Sequence, residues 1–199
     1  MVTIDELRLS DAPSAWEALG FQVDGDACRI GTVTLRLIGG GGAGIVGWSL
    51  RGAATAELDG LPTELSTETD PAAGPEAVEH PNGALQIDHV VVSSGDLDRT
   101  IAACEAAGIR LRRIREDRPR RMAFFRLGEV ILELVEGEHP GPARFWGLVV
   151  VVRDLDSLAA QLGQRLCPIH DAVQPGRRIA SLQDGAGIGP ALAFMSSGE

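Results

Sequence analysis

Lysine and tyrosine are both absent from the 199-residue sequence, so all 18 of its basic residues are arginine. These absences exclude a lysine Schiff base, the lysine of a phosphate-binding loop and a tyrosine general acid. A large part of the usual catalytic repertoire is therefore missing before any motif is considered.

Cysteine is scarce, and long apolar runs are lacking. The three cysteines form no Cys-x-x-Cys pair, which argues against a disulfide framework or a zinc ribbon and favours a reducing, cytoplasmic compartment. The longest apolar run, residues 145–152, is far shorter than the roughly 20 residues that cross a bilayer. Asp5 and Glu6 lie close to the amino terminus. We therefore expect neither an export signal nor a membrane anchor.

Acidic residues outnumber basic ones by 28 to 18, which gives a formal net charge of −10. Such a charge repels nucleic acid and anionic lipid at long range, so we expect neither as a partner. The composition, with 44% hydrophobic and 23% charged residues, is typical of a globular protein.

Residues 55–83 are predicted to be a linker. They contain seven acidic residues, four prolines and no arginine. Acidic stretches rich in proline, alanine and glycine bury too little apolar surface to fold alone, which favours a solvated connector. Pairing of this segment with the arginine cluster of residues 110–126 is the alternative.

Two later segments repeat each other at a constant offset. Residues 88–98 and 146–156 each begin with an apolar, β-branched run typical of a strand and continue with an Asp-Leu-Asp sequence. Asp96 and Asp154 are predicted helix N-caps, and three strand-like pieces follow the first helix. The repeat predicts two βαβββ modules, at residues 84–138 and 144–196.

A weaker third copy is predicted at the amino terminus, within residues 1–54. Residues 28–36 align with residues 125–133, and a short helix-like stretch precedes them. Residues 44–51 resemble the first strand of a fourth unit, whose remaining strands have no recognisable signal.

A tandem βαβββ pair that opens with IDHVVV and DLD and closes its first half with ILELVEG resembles the vicinal oxygen chelate superfamily. That superfamily includes glyoxalase I, extradiol dioxygenases, methylmalonyl-CoA epimerase and the bleomycin resistance proteins. The resemblance implies the α+β class, with tandem βαβββ modules that form a cupped mixed sheet. It also implies a small-molecule ligand in the cup, a divalent metal held by the first and fourth strands of each module, and a homodimer.

The resemblance places His89 and Glu133 at the two ligand positions of the first module, as metal ligands or catalytic residues. The second module departs from the pattern, because Gly147 and Ala193 occupy the corresponding positions and neither can bind a metal. Two protein ligands are fewer than the three of an ordinary catalytic zinc site. Three roles stay open for His89 and Glu133. They could bind a metal whose coordination a bound small molecule completes, act as a metal-free acid and base pair, or form a purely structural hydrogen bond with each other.

The amino-terminal copy offers no replacement ligands. Ile4 or Glu6, depending on register, stands at its first position, and Arg36 stands at the second, where it would repel a cation.

Strand alternation predicts the rest of the cup, because side chains at even offsets share one face of a strand. The predicted lining of the substrate pocket is largely apolar and comprises Ile87, Val91, Ile131, Val135, Phe145 and Val149. The second module is expected to add Ala191, Ala193 and Met195.

Eight of the arginines cluster between positions 110 and 126. They are Arg110, Arg112, Arg113, Arg115, Arg118, Arg120, Arg121 and Arg126. Guanidinium groups match carboxylates and phosphates, so the cluster is a candidate anion-binding surface. A solvated hairpin face is the simpler alternative.

These observations lead to two main hypotheses for function. The first is a glyoxalase-like protein that binds a small molecule in the cup, with lyase, isomerase or dioxygenase chemistry at an incomplete metal site. The alternative is a non-catalytic protein that sequesters a drug, of the bleomycin-resistance type. A structural or partner-binding domain is a third option, and exposed strand edges agree with a homodimer.

Overall fold

The structure, a computed structural model, describes residues 1–40, 44–67, 78–116 and 119–198. These residues form two mixed β-sheets, one of five strands and one of eight. Residues 68–77 of the predicted linker lie outside the described residues, and so does Arg118. None of the helices in the described ranges is long and apolar enough to cross a membrane.

The amino-terminal sheet contains the third copy predicted from the sequence. Its elements are β1 (Thr3–Leu9), α1 (Pro13–Glu17), β2 (Ala27–Ile30), β3 (Val33–Leu37), β4 (Ile45–Arg51) and β5 (Thr63–Leu65). The strand order is β2-β3-β1-β4-β5, with β3 parallel to β1 and β5 parallel to β4. The strands β4 and β5 are thus the first and last strands of a reduced fourth unit.

Part of the segment predicted as a linker is packed against the rest of the protein. Leu58 and Leu61 are buried, and β5 lies within the same segment. The Asp59 carboxylate accepts hydrogen bonds from Arg99 and Thr100. The strand β5 has only three residues, which is too short for a hydrophobic alternation that sequence analysis could recognise.

The eight-stranded sheet consists of two βαβββ modules, as predicted. The first contains β6 (Ala84–Ser94), α2 (Leu97–Ala106), β7 (Leu111–Arg115), β8 (Met122–Leu127) and β9 (Val130–Glu136). The second contains β10 (Arg144–Val152), α3 (Leu155–Leu162), the 3-10 helix Gly163–Arg165, β11 (His170–Asp171), β12 (Arg178–Ser181) and β13 (Ala191–Ser196). The order is β11-β12-β13-β10-β6-β9-β8-β7, so the first strands of the two modules pair in the middle.

The helices begin where the sequence predicts. The Asp96 and Asp154 side chains each accept a hydrogen bond at 3.0 Å, from the backbone N–H of Arg99 and Ser157 respectively. Each such cap stabilises its helix by about 1 kcal/mol. The helices cover one face of the sheet, which leaves the opposite face free to form a cup.

One hydrophobic core joins the two sheets. It contains Trp16 and Trp48 from the amino-terminal part and Phe125 and Phe194 from the two modules, all nearly inaccessible to solvent. The amino-terminal unit is therefore packed continuously with the tandem modules.

Candidate functional site

A β-bulge at Asp88 sets the orientation of the side chains at the centre of the cup. On β10, the adjacent residues Val149 and Val150 pair with His89 and Ile87, so Asp88 is an extra residue in β6. Such an insertion reverses the alternation of side chains beyond it. As a result, Ile87 faces the core, whereas His89 faces the cup.

His89 and Glu133 face each other in the cup. His89 Nε2 lies 3.7 Å from Glu133 Oε2, and the two side chains are only 14% and 17% exposed. This distance is too long for a direct hydrogen bond, but a single proton-bearing group of a ligand could contact both atoms. The parallel pairing of β6 with β9 brings the two side chains together. The Cα partner of Glu133 is Val91, and His89 lies two residues before Val91 on the same strand.

Asp88 fixes the orientation of the His89 ring. Asp88 Oδ2 is 2.9 Å from His89 Nδ1, and Asp88 Oδ1 accepts a hydrogen bond of 2.7 Å from Arg177. Burial raises the pKa of Asp88, but the hydrogen bonds with His89 and Arg177 outweigh it and hold this pKa below its ordinary value. An ionised carboxylate only accepts hydrogen bonds, so Nδ1 carries the proton of this contact and Nε2 is left facing Glu133.

Glu133 has the opposite electrostatic environment. Its burial raises the pKa of the carboxyl group above the ordinary value, and nearby His89 and Arg115 only partly offset this effect. The protonated form of Glu133 is therefore more favoured than that of an exposed glutamic acid. The site combines an oriented imidazole with a carboxyl group whose pKa is raised by burial.

Two neighbouring cavities share His89 and Glu133 in their walls. The first has a volume of about 610 Å³ and is lined by β10, β13 and the loop between β12 and β13. The second has a volume of about 520 Å³ and lies between β7, β8 and β9 on one side and the β11–β12 hairpin on the other. Both are large enough for a small organic molecule.

The residues predicted to line the pocket fall into two groups. Val91 and Val149 line the first cavity, and Ile131 lines the second. The second module contributes Ala191 and Ala193 to the first cavity and Met195 to the second. The other three predicted residues lie outside both cavities.

Ile87, Val135 and Phe145 line neither cavity. Ile87 belongs to the core, and Phe145 packs against that core, with its ring centroid 5.1 Å from that of Trp48. A second bulge, at Trp146, separates Phe145 from Gly147 in the pairing with β6 and turns Phe145 away from the cup. Val135 lies near the end of β9, beyond both cavities.

Several residues of the site were not among the predicted catalytic or pocket-lining residues. Trp146 and Gln183 line the first cavity, Asp88 and Arg177 support His89, and Arg113 lines the second cavity. Arg113 belongs to the arginine cluster, but nothing in the sequence separated it from the other members. Arg120 and Arg121 of that cluster instead form ion pairs with Glu138 and Asp98.

The residues present do not fit a catalytic metal centre with three or more protein ligands. No group of three His, Cys, Asp or Glu residues in the described ranges is arranged to hold a metal ion. Gly147 explains part of this deficit, because a Cβ atom there would overlap the Ala191 carbonyl oxygen and lie 2.8 Å from the Ala191 Cβ. The close approach of β13 therefore excludes any ligand side chain at that position.

The amino-terminal sheet has an ion pair at the equivalent place. Arg8 is the Cα partner of Arg36, just as Val91 is the Cα partner of Glu133. Glu6 precedes Arg8 by two residues, as His89 precedes Val91, so Glu6 corresponds to His89. The Arg36 guanidinium donates to Glu6 at 3.0 Å and to Asp26 at 2.7 Å. Only the eight-stranded sheet therefore keeps the His and Glu combination.

Comparison with solved structures shows proteins of similar fold. A triple mutant of 4-hydroxymandelate synthase from Streptomyces coelicolor aligns with 99% of this chain and 93% of its own length, at 17% identity and a TM-score of 0.62. A xylose isomerase-like TIM barrel/4-hydroxyphenylpyruvate dioxygenase fusion protein aligns with 99% of this chain and 49% of its own, at 11% identity and a TM-score of 0.66.

Methylmalonyl-CoA epimerase from Mycobacterium tuberculosis aligns with 59% of this chain and 91% of its own length, at 18% identity and a TM-score of 0.48. No protein-family model and no curated protein matches the sequence.

The tandem modules and the cup that they form define a glyoxalase-like α+β protein. Its fold is that of the vicinal oxygen chelate superfamily. The resemblance drawn from the sequence repeat is thereby confirmed at the level of the fold.

Proposed function

We propose that this protein is an enzyme that binds a small carbonyl compound in its cup and transfers a proton at the carbon next to the carbonyl group. His89 and Glu133 are the proposed catalytic residues. The observation that carries the proposal is the separation of 3.7 Å between His89 Nε2 and Glu133 Oε2 within one concave, largely apolar site.

The two side chains have complementary roles in this reaction. His89 Nε2 removes a proton from the substrate carbon, and the electron pair of the broken C–H bond forms an enol. Glu133 in its protonated form gives its proton to the carbonyl oxygen, so no charge builds up on the substrate. Return of the proton from the His89 imidazolium to a neighbouring carbon, while the Glu133 carboxylate takes a proton back from an oxygen of the enol, would complete an isomerisation.

Asp88 and Arg177 support this chemistry without contacting the substrate. The ionised Asp88 stabilises the imidazolium form of His89 that appears after proton removal, and Arg177 keeps Asp88 ionised. Asp88 is therefore a positioning residue.

A divalent metal, which the superfamily resemblance implies, would find His89 Nε2 and the Glu133 carboxylate as donors, and no third His, Cys, Asp or Glu of the described residues is arranged with them to hold an ion. Catalytic zinc and non-haem iron sites use three. The proposed proton transfer relies on His89 and Glu133 alone. We expect elemental analysis of the purified protein to show no stoichiometric divalent metal, and a His89-dependent stoichiometric ion would contradict this.

The two solved structures of similar fold are only 11% and 17% identical to this chain, so they support its fold and not a particular ligand or reaction. Their names describe a dioxygenase and a synthase. No observation on the described residues favours the other hypothesis, a protein that sequesters a drug.

Deuterium exchange tests the proposal directly. The protein is incubated in D₂O with phenylacetone or phenylpyruvate, whose apolar rings suit the cup, and loss of the α-proton signal is followed by NMR. We expect exchange faster than in buffer, reduced at least about 100-fold in His89→Gln and Glu133→Gln. Glu129→Gln, an exposed glutamate on the turn before the same strand, is the matched control.

Exchange no faster than in buffer for both compounds, or equal exchange in wild type and in the His89 and Glu133 variants, would refute the proposed function.

A further inference from the structure

The second cavity combines an apolar floor with arginine at its rim. Its apolar lining includes Met122, Phe124 and Ile131 from the first module and Ile179 and Met195 from the second. Arg113 and Arg115 lie at the side formed by β7. An apolar body with a charged end is the ligand shape that such a lining accommodates.

Most arginines of the described residues form a hydrogen bond or an ion pair, but Arg113 does not. It is exposed, and it forms no hydrogen bond or ion pair with the residues that the structure describes. By contrast, Arg99, Arg121 and Arg178 each pair with an aspartate. Arg113 is therefore free to bind a group from outside the protein.

The strand register places Arg113 in line with the catalytic pair. Arg113 pairs with Phe124 on β8, and Phe124 pairs with Glu133 on β9. Residues paired directly across neighbouring strands point to the same face of the sheet, so these three residues form a row across it. Two strand spacings of about 4.8 Å each separate the Cα atoms of Arg113 and Glu133 by roughly 10 Å.

We propose that the second cavity binds small organic anions, with the carboxylate or phosphate of the ligand at Arg113 and its apolar body on Phe124. The reacting carbon then lies within reach of both His89 Nε2 and the Glu133 carboxyl group. This inference rests on the proposed function for the reaction but concerns the choice of substrate. Arg113 is the specificity-determining residue.

The charge of the rest of the protein makes this arginine decisive. The chain has a formal net charge of −10, and Asp171 lies on the opposite rim of the same cavity. An anion therefore needs a guanidinium group close by, which can bind its carboxylate or phosphate through two parallel hydrogen bonds. Neutral analogues of the same shape gain nothing from it.

Binding measurements with three matched probes test this inference. Phenylacetate and phenyl phosphate carry the two kinds of anion, and phenylacetamide is the neutral analogue of the first. Affinities are measured by NMR titration of the full chain, for wild type and for Arg113→Ala. Arg112→Ala is the control, because Arg112 is exposed on the same strand and changes the net charge equally but does not line the cavity.

We expect at least one anion to bind wild type more tightly than phenylacetamide and to bind Arg113→Ala at least about tenfold more weakly, with Arg112→Ala unchanged. The tighter of the two anions identifies the group that the cavity takes. Absence of anion binding, equal affinity for phenylacetamide, or equal losses in the two arginine variants would overturn the inference.

The outcomes also separate this inference from the proposed function. Anion binding that depends on Arg113, without His89-dependent exchange, keeps the binding site and refutes the reaction. Exchange of the anion phenylpyruvate that is unaffected by Arg113→Ala keeps the reaction and refutes the role of Arg113, whereas exchange of the neutral phenylacetone should be unaffected in either case.

Discussion

Asp88 and His89 are consecutive residues whose side chains form a hydrogen bond with each other, with 2.9 Å between Asp88 Oδ2 and His89 Nδ1. In a regular strand, consecutive side chains point to opposite faces of the sheet. The bulge at Asp88 removes this restriction. A local irregularity of the central strand thus supplies the histidine with its orienting carboxylate.

Asp88→Asn tests the positioning role. The substitution keeps the size of the side chain but allows the amide to donate to Nδ1, which moves the imidazole proton to Nε2 and blocks its use as a base. We expect α-proton exchange to fall at least about tenfold. The partly buried Arg177 also loses its ionic partner, so the free energy of unfolding should fall by about 1–3 kcal/mol in urea titrations.

A purely structural role for Asp88 would lower stability without changing the pH dependence of the exchange rate. A changed pH profile in Asp88→Asn at a temperature where the protein stays folded is therefore the discriminating result.

Glu133→Gln is expected to change how stability depends on pH. The folded-state pKa of Glu133 lies above the ordinary value of 4.5, so the folded protein binds this proton more tightly than the unfolded chain. Stability should consequently fall as the pH rises from about 4.5 through the folded pKa of Glu133, and should then level off with respect to this group. Glu133→Gln, which cannot ionise, should lack this loss.

Thermal unfolding of wild type and Glu133→Gln between pH 4 and pH 8 measures the effect. The difference in stability should shift in favour of the variant as pH increases. A difference that is constant over this range would contradict the raised pKa of Glu133. Glu129→Gln again serves as the control, because its side chain is exposed.

Gly147→Ala tests the close approach of β13 to β10. A Cβ atom at this position overlaps the Ala191 carbonyl oxygen, so the strands must separate. We expect a loss of about 1–3 kcal/mol in the free energy of unfolding. Gly198→Ala is the matched control, since its nearest neighbour would be an Arg177 side-chain atom at 3.9 Å.

If Gly147→Ala were as stable as Gly198→Ala, the second module could accept a side chain at its first ligand position. The steric explanation for the missing metal ligand would then be wrong.

The sequence repeat was sufficient to predict the modules, because strands and capped helices are signalled by local patterns. The Asp-Leu-Asp sequences mark the starts of α2 and α3, and the β-branched runs mark β6 and β10. Simple alternation also placed Val91, Val149 and Ile131 around the cup. It failed for Ile87 and Phe145, because a bulge inserts a residue without leaving a sequence pattern.

The sequence by itself determined the two βαβββ units and the strands on which His89 and Glu133 lie, since hydrophobic periodicity and capping depend on neighbours along the chain. Only the tertiary structure decided that Asp88 and Arg177 support His89, that β13 closes the space at Gly147, and that Arg113 lines a cavity. These relationships depend on strand register and on contacts between residues far apart in sequence, which no local pattern encodes.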